Sequence, residues 1–154
     1  MTSQIARVAA ASLVAAFASA AARAEIAPSA VVITDGALAT PVADAPGDAA
    51  RGREWYLDRG LGNCMTCHQN AATPEVSFQG NVAPALDGVA SRYSEAELRA
   101  IVVNSKQVFG EQTFMPAFYR TEGLRIVRKK SVGKPILEAQ QVEDVVAYLK
   151  TLTD

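Results

Sequence analysis

The chain has 154 residues, a length that suits one domain. Lys and Arg total 15 against 16 Asp and Glu, so there is no basic excess of the kind that nucleic-acid binding requires. Two cysteines and a single histidine are all that is available for soft-metal ligation or for histidine-based acid–base chemistry.

Residues 1–24 read as a secretory signal. Arg7 supplies a short basic start, residues 8–22 are almost entirely Ala, Val, Leu and Phe, and Ala22-Arg23-Ala24 is an A-x-A-like site with cleavage before Glu25. Ala18-Ser19-Ala20 is a second candidate site. The competing reading is an uncleaved anchor, but the run is Ala-rich and shorter than the roughly 20 apolar residues that span a bilayer. The mature chain is therefore expected in the periplasm, without a membrane anchor. Residues 25–47 carry Pro28, Pro41 and Pro46, the turn signal Asp35-Gly36, and a short strand candidate at Val31-Val32-Ile33-Thr34. An extended arm lying along the domain or a partner competes here with a disordered tail. Val31, Val32 and Ile33 favour the arm, since they gain nothing in water.

A domain spanning 48–154 follows. Its first helix is expected over 48–59, with Asp48 as N-cap and Gly60 and Gly62 ending it. Gly52 and Tyr56 share a face. A mid-helix glycine costs about 1 kcal/mol relative to Ala, which close approach of another helix would explain; an incidental glycine is the alternative.

Next comes Cys64-Met65-Thr66-Cys67-His68, a C-x-x-C-H pentapeptide. Two thiols at this spacing can each form a thioether to a haem vinyl group, and the following histidine is then placed to ligate the iron. A zinc site needs a second pair of ligands, and no Cys or His remains to supply it. A redox dithiol needs a βαβ context and no histidine. One covalent haem c is the expected cofactor, and aromatic content of only 6% fits a core whose centre is filled by a large flat ring.

Residues 69–93 form a loop containing Ala83-Pro84-Ala85-Leu86-Asp87-Gly88. A carbonyl near Pro84 is a candidate acceptor for the second ring N–H of His68. Ser94-Glu95-Ala96-Glu97 is a capping box, and the helix it opens carries Leu98, Ile101 and Val102 on one face and runs to about residue 105.

Residues 106–135 break the helical pattern and include Phe114-Met115-Pro116, where Pro116 biases Met115 toward extended backbone. This segment holds seven basic and two acidic residues, a net +5, while the rest of the chain from Glu25 onward is −8. Arg128-Lys129-Lys130 is either a solvated loop or a docking patch. In the first case, docking falls to an apolar surface around Phe114, Phe118 and Tyr119. The last helix is expected over 138–152, with Val142, Val145, Val146 and Leu149 at helical spacing and no evident cap.

A haem iron held by His68 needs a second axial ligand. Met1 leaves with the signal, and Met65 is tied between the anchoring cysteines. Met115 is the remaining thioether; Lys106, Tyr119 or an open site are the alternatives. With His68 and Met115 both bound, the iron moves single electrons and has no position for substrate. No catalytic residue is expected.

The order helix, C-x-x-C-H, P-x-L, helix, M-P, then a helix with Ala147-Tyr148-Leu149-Lys150 resembles the class I cytochromes c. That resemblance implies an all-α fold of small helices around one covalent haem, with Gly52, Tyr56, Val145 and Tyr148 at the crossing of the first and last helices and Pro84 accepting from the haem histidine. A closer resemblance is to the SoxX cytochromes. It rests on Leu61-Gly62-Asn63-Cys64, Cys67-His68-Gln69, the run 83–88, Thr113-Phe114-Met115-Pro116-Ala117-Phe118-Tyr119 and the run 139–149. It implies the electron-transfer subunit of a heterodimeric L-cysteine S-thiosulfotransferase, in which a SoxA-like haem subunit couples thiosulfate to a cysteine of a SoxYZ carrier protein. Electrons then pass to a soluble cytochrome acceptor. A free-standing soluble cytochrome c is the alternative.

Overall fold

The computed structural model describes residues 24–154; the expected signal, apart from Ala24, lies outside the described residues. Among the described residues, four helices, α1 (Ala49–Leu57), α2 (Val89–Arg92), α3 (Glu95–Phe109) and α4 (Ala139–Leu149), carry the fold, with single 3-10 turns at Pro28–Ala30, Cys64–Thr66 and Lys129–Ser131. The class is all-α.

α1 starts because Asp48 is extended and its side chain accepts from the N–H groups of Ala50 at 2.8 Å and Arg51 at 3.1 Å. It ends two residues short of the expected boundary. Asp58 turns extended, its carboxylate accepts from Gly60 N–H at 2.7 Å, and its carbonyl accepts from Asn63 N–H at 2.9 Å. A local side-chain turn thus replaces the next helical turn.

α1 crosses α4 with the backbones in contact. A Cβ on Gly52 would lie 1.8 Å from the carbonyl oxygen of Asp144 and 2.9 Å from Cβ of Tyr148, so packing accounts for the mid-helix glycine. Next to the crossing, the buried carboxylate of Asp144 accepts from Asp48 N–H (2.8 Å), Arg51 Nε and Nη2 (3.0 and 3.2 Å), Gln140 Nε2 (3.0 Å) and Trp55 Nε1 (3.2 Å). Burial works to raise its pKa, but these donors outweigh burial and hold it below the ordinary aspartate value. The expected face of α4 is inside: Val142, Val145, Val146 and Leu149 are all buried. Its cap uses residues other than the favoured small polar ones. Gln141 Oε1 reaches back to Glu138 N–H at 2.9 Å, a capping box with Glu in the first place.

The segment 25–47 lies along the domain. Val31 to Thr34 does not form the expected strand: the described residues offer it no partner strand, and there is only one bridge, Thr34 to Ala37, around the left-handed Asp35-Gly36 turn. Val32 is exposed, and the arm is anchored further on, by Leu38 and Val42. Leu38 donates to the Ala96 carbonyl at 2.8 Å, and its own carbonyl accepts from Arg99 Nη1 at 3.1 Å. Val42 N–H donates to Glu143 Oε1 at 2.8 Å. Arg99 and Glu143, both buried, pair at 3.0 Å, so one ion pair joins arm, α3 and α4. A buried pair of this kind is strongly destabilising to break from one side only.

Candidate haem centre

The pentapeptide hangs from α1 by a short turn. Asn63 is left-handed (φ 49°, ψ 32°), and Cys64–Thr66 forms the 3-10 turn in which the Cys64 carbonyl accepts from Cys67 N–H at 3.1 Å and His68 N–H at 3.0 Å. Met65 points into the core and is 3% exposed, which fixes the turn while both cysteines stay unpaired. Burial pushes the Cys64 thiol up to about 12. That is the wrong direction for a redox nucleophile, which acts as the thiolate. Nor do the described residues contain any group of three or more His, Cys, Asp and Glu able to hold a metal ion.

The loop after the motif runs back alongside it. Gly80 N–H donates to the Met65 carbonyl at 2.8 Å, Ala83 N–H to that of Cys67 at 3.0 Å, and Leu86 N–H to that of Gln69 at 2.9 Å. These three bonds set the Pro84 carbonyl 2.7 Å from Nδ1 of His68. A carbonyl only accepts, so Nδ1 carries the proton and Nε2 keeps its lone pair for a metal. The last part of this loop, expected to be irregular, includes the single turn α2, held by Ala90 N–H on the Leu152 carbonyl at 3.0 Å.

A second support of the loop was not legible in the sequence. Asn70 is buried; its Nδ2 donates to Tyr148 Oη at 3.0 Å, and its N–H to Gln79 Oε1 at 2.6 Å. Gln79 Nε2 in turn donates to the carbonyl of buried Thr73 at 2.9 Å. These polar residues lie nine or fewer positions apart in a segment without periodicity, and only the fold shows that they face inward. Tyr148 packs on Tyr56 with ring centroids 5.4 Å apart. The Tyr56 hydroxyl, near Cys64, is the one buried side-chain polar atom among the described residues without a hydrogen-bond partner.

Met115 is partly buried against the core, in the irregular stretch between α3 and α4. Of the alternative distal ligands, the Lys106 ammonium donates to the Thr113 carbonyl, and the Tyr119 hydroxyl donates to the Ile26 carbonyl at 2.8 Å. The apolar surface expected around Phe114, Phe118 and Tyr119 is not formed. Phe114 is exposed, but Phe118 and Tyr119 are in the core, because their N–H groups dock on α3. Of the seven basic residues of the 106–135 segment, Lys106 is engaged as above and Arg120 pairs with Glu111 at 3.1 Å. Arg125, Arg128, Lys129, Lys130 and Lys134 are exposed and, among the described residues, form no ion pair.

The donor set therefore suits a c-type haem: two unpaired thiols on one turn, an imidazole with one nitrogen fixed and the other free, and a thioether on a separate segment. The cytochrome c family matches residues 49–153. The solved structure of SoxXA from P. pantotrophus is similar at 46% identity, covering 85% of this chain and 100% of that chain, with a TM-score of 0.79. This chain belongs to the cytochrome c family, among the SoxX cytochromes. Haem c, bound covalently, is the cofactor of this SoxX-type chain. Ferric cytochrome c-550 from Paracoccus versutus and a variant of it with one methionine replaced by lysine are 22% and 23% identical, each covering 70% of this chain and 99% and 97% of their own, with TM-scores of 0.40 and 0.39. No curated protein matches the sequence.

Proposed function

We propose that this SoxX-type chain is the periplasmic electron-transfer subunit of a SoxAX-type L-cysteine S-thiosulfotransferase, paired with a SoxA-like haem subunit. In the reaction, a carrier cysteine of a SoxYZ-type protein is joined to thiosulfate by a new sulfur–sulfur bond. The thiol proton is released and two electrons leave. The chain accepts those electrons one at a time and passes them to a soluble cytochrome. The observation that carries the reading is 46% identity across the whole of the matched SoxXA chain.

Each residue has a role in this reading. Cys64 and Cys67 hold the haem by thioethers. His68 ligates through Nε2, with the Pro84 carbonyl fixing its tautomer and ring plane. Met115 would supply the second protein ligand to the iron. When bound, the haem supplies a one-electron redox couple; with His68 and Met115 both holding the iron, substrate chemistry would be left to the partner. Purification from the native source tests the pairing. A stoichiometric second cytochrome is the expected result, and a monomer would return the chain to the free-standing class.

Met115→Ala is expected to retain covalent haem but lose the weak near-infrared band of a methionine-ligated ferric haem. An unchanged spectrum and potential would transfer the axial role to another group.

The basic residues of the loop are the docking element of this reading. Arg128, Lys129 and Lys130 are exposed on an otherwise acidic molecule, and such a dipole raises encounter rates with an anionic partner until salt screens it. Reversing all three charges is expected to slow inter-protein electron transfer several-fold at low ionic strength, with little effect at high, and to leave the haem spectrum intact. A rate unaffected at low salt makes the loop merely a solvated one.

A further inference from the structure

α3 is interrupted just before it meets the methionine segment. Asn104 has φ −149° and ψ 77°, far from helical values, in the middle of an otherwise regular run. The carbonyls of Val102 and Val103, immediately before the interruption, accept from Phe118 N–H at 3.2 Å and Tyr119 N–H at 3.1 Å. A kink turns helical carbonyls outward, and here the chain just beyond Met115 uses them. The residue after the kink, Ser105, is wholly buried. Its hydroxyl lies 2.7 Å from the Met115 carbonyl and 3.0 Å from the Pro116 carbonyl. A serine has one O–H to donate, so that single proton is shared between the carbonyls on either side of Pro116. Pro116 lacks an N–H and limits Met115 to extended backbone. The ring thus restricts torsion while the hydroxyl fixes position.

We propose that Ser105 is the positioning residue for the Met115 thioether. The inference rests on the reading of Met115 as axial ligand and adds the device that holds it there. Methionine has three rotatable side-chain bonds, so where its sulfur stands depends on where its backbone is pinned. Without the Ser105 hydroxyl, two inward carbonyls lose their donor, and the 115–116 backbone relaxes to find water or another N–H. The thioether then competes less well for the iron, and the distal position opens to outside ligands.

The test uses the full-length protein with its haem, and free imidazole as the competing ligand. Ser105→Ala should keep the covalent haem and bind imidazole up to about tenfold more tightly in the ferric state, the equivalent of one lost buried hydrogen bond. Its near-infrared methionine band should weaken, and Ser105→Thr, which restores the hydroxyl, should return both readouts toward wild type. Where Ser105→Ala does not accumulate, Ser105→Cys, with its weak S–H donor, serves for the same titration and is expected to lie between. Met115→Ala should bind imidazole most tightly of all, with no further change on adding Ser105→Ala. If Met115→Ala opens the site and Ser105→Ala leaves affinity and band unchanged while lowering only the melting temperature, the positioning role is overturned and the ligand assignment stands. If Met115→Ala itself changes neither readout, the ligand assignment fails first.

Discussion

Cys64→Ser with Cys67→Ser is expected to give a protein with no covalent haem. Extraction into acidified organic solvent separates the two cases, since a thioether-bound haem stays with the polypeptide and a merely ligated one leaves. The effect should be all or none, because these are the only two cysteines and no other side chain can add to a vinyl group in this way. The single variants should retain one thioether each and show a lower yield. Haem extracted from the wild type under the same conditions would refute the attachment chemistry. The consequence reaches beyond the cofactor. His68 and Met115 belong to separate segments, and a haem ligated by both would join the turn after α1 to the stretch before α4. The double variant should therefore also unfold at markedly lower temperature, as expected when a ligand that binds only the folded state is removed.

How much of this was legible beforehand follows the range of the interactions. Local chemistry reads well from sequence. The C-x-x-C-H motif, the Asp48 cap and the Ser94–Glu97 capping box each depend on residues within a few positions. The glycine at 52 reads as a close approach, because a mid-helix glycine demands a reason, though only the structure names the Asp144 carbonyl as the group approached. Long-range devices do not read at all. The arm is held by a buried Arg99–Glu143 pair, and both residues look like ordinary surface charges on amphipathic helices. Phe118 and Tyr119 sit beside exposed Phe114 in sequence, and the loss of the apolar surface expected there depends on a kink at Asn104 that no proline or glycine announces. Met115 stands out by elimination in a chain with few candidate ligands, whereas Ser105 has no such scarcity to mark it.

Gly52→Val is expected to lower stability by more than about 4 kcal/mol, a loss read as a falling midpoint in denaturant at unchanged slope. Two effects oppose each other at this position. Replacing a helical glycine with Ala gains up to about 1 kcal/mol of helix propensity, and the gain with Val is smaller. Against this, a Cβ 1.8 Å from a backbone carbonyl oxygen cannot be accommodated by side-chain motion, because the obstacle is main chain. α1 and α4 must separate, and overpacking at a rigid contact typically costs about 1–3 kcal/mol or more. Separation also removes donors from Asp144. Arg51, Trp55 and the Asp48 N–H all come from α1 or its cap, leaving only Gln140 on its own helix. A buried carboxylate stripped of its partners adds several kcal/mol to the loss. Gly52→Ala should be destabilising too, by less, and that variant is the decisive one. It carries the full propensity gain and the same clash, so its sign alone says which effect wins. A neutral or stabilised Gly52→Ala would mean that the helices do not meet at this glycine. Since Cys64 follows α1 by a short turn, both variants should also accumulate less holoprotein, with the valine variant the poorer of the two.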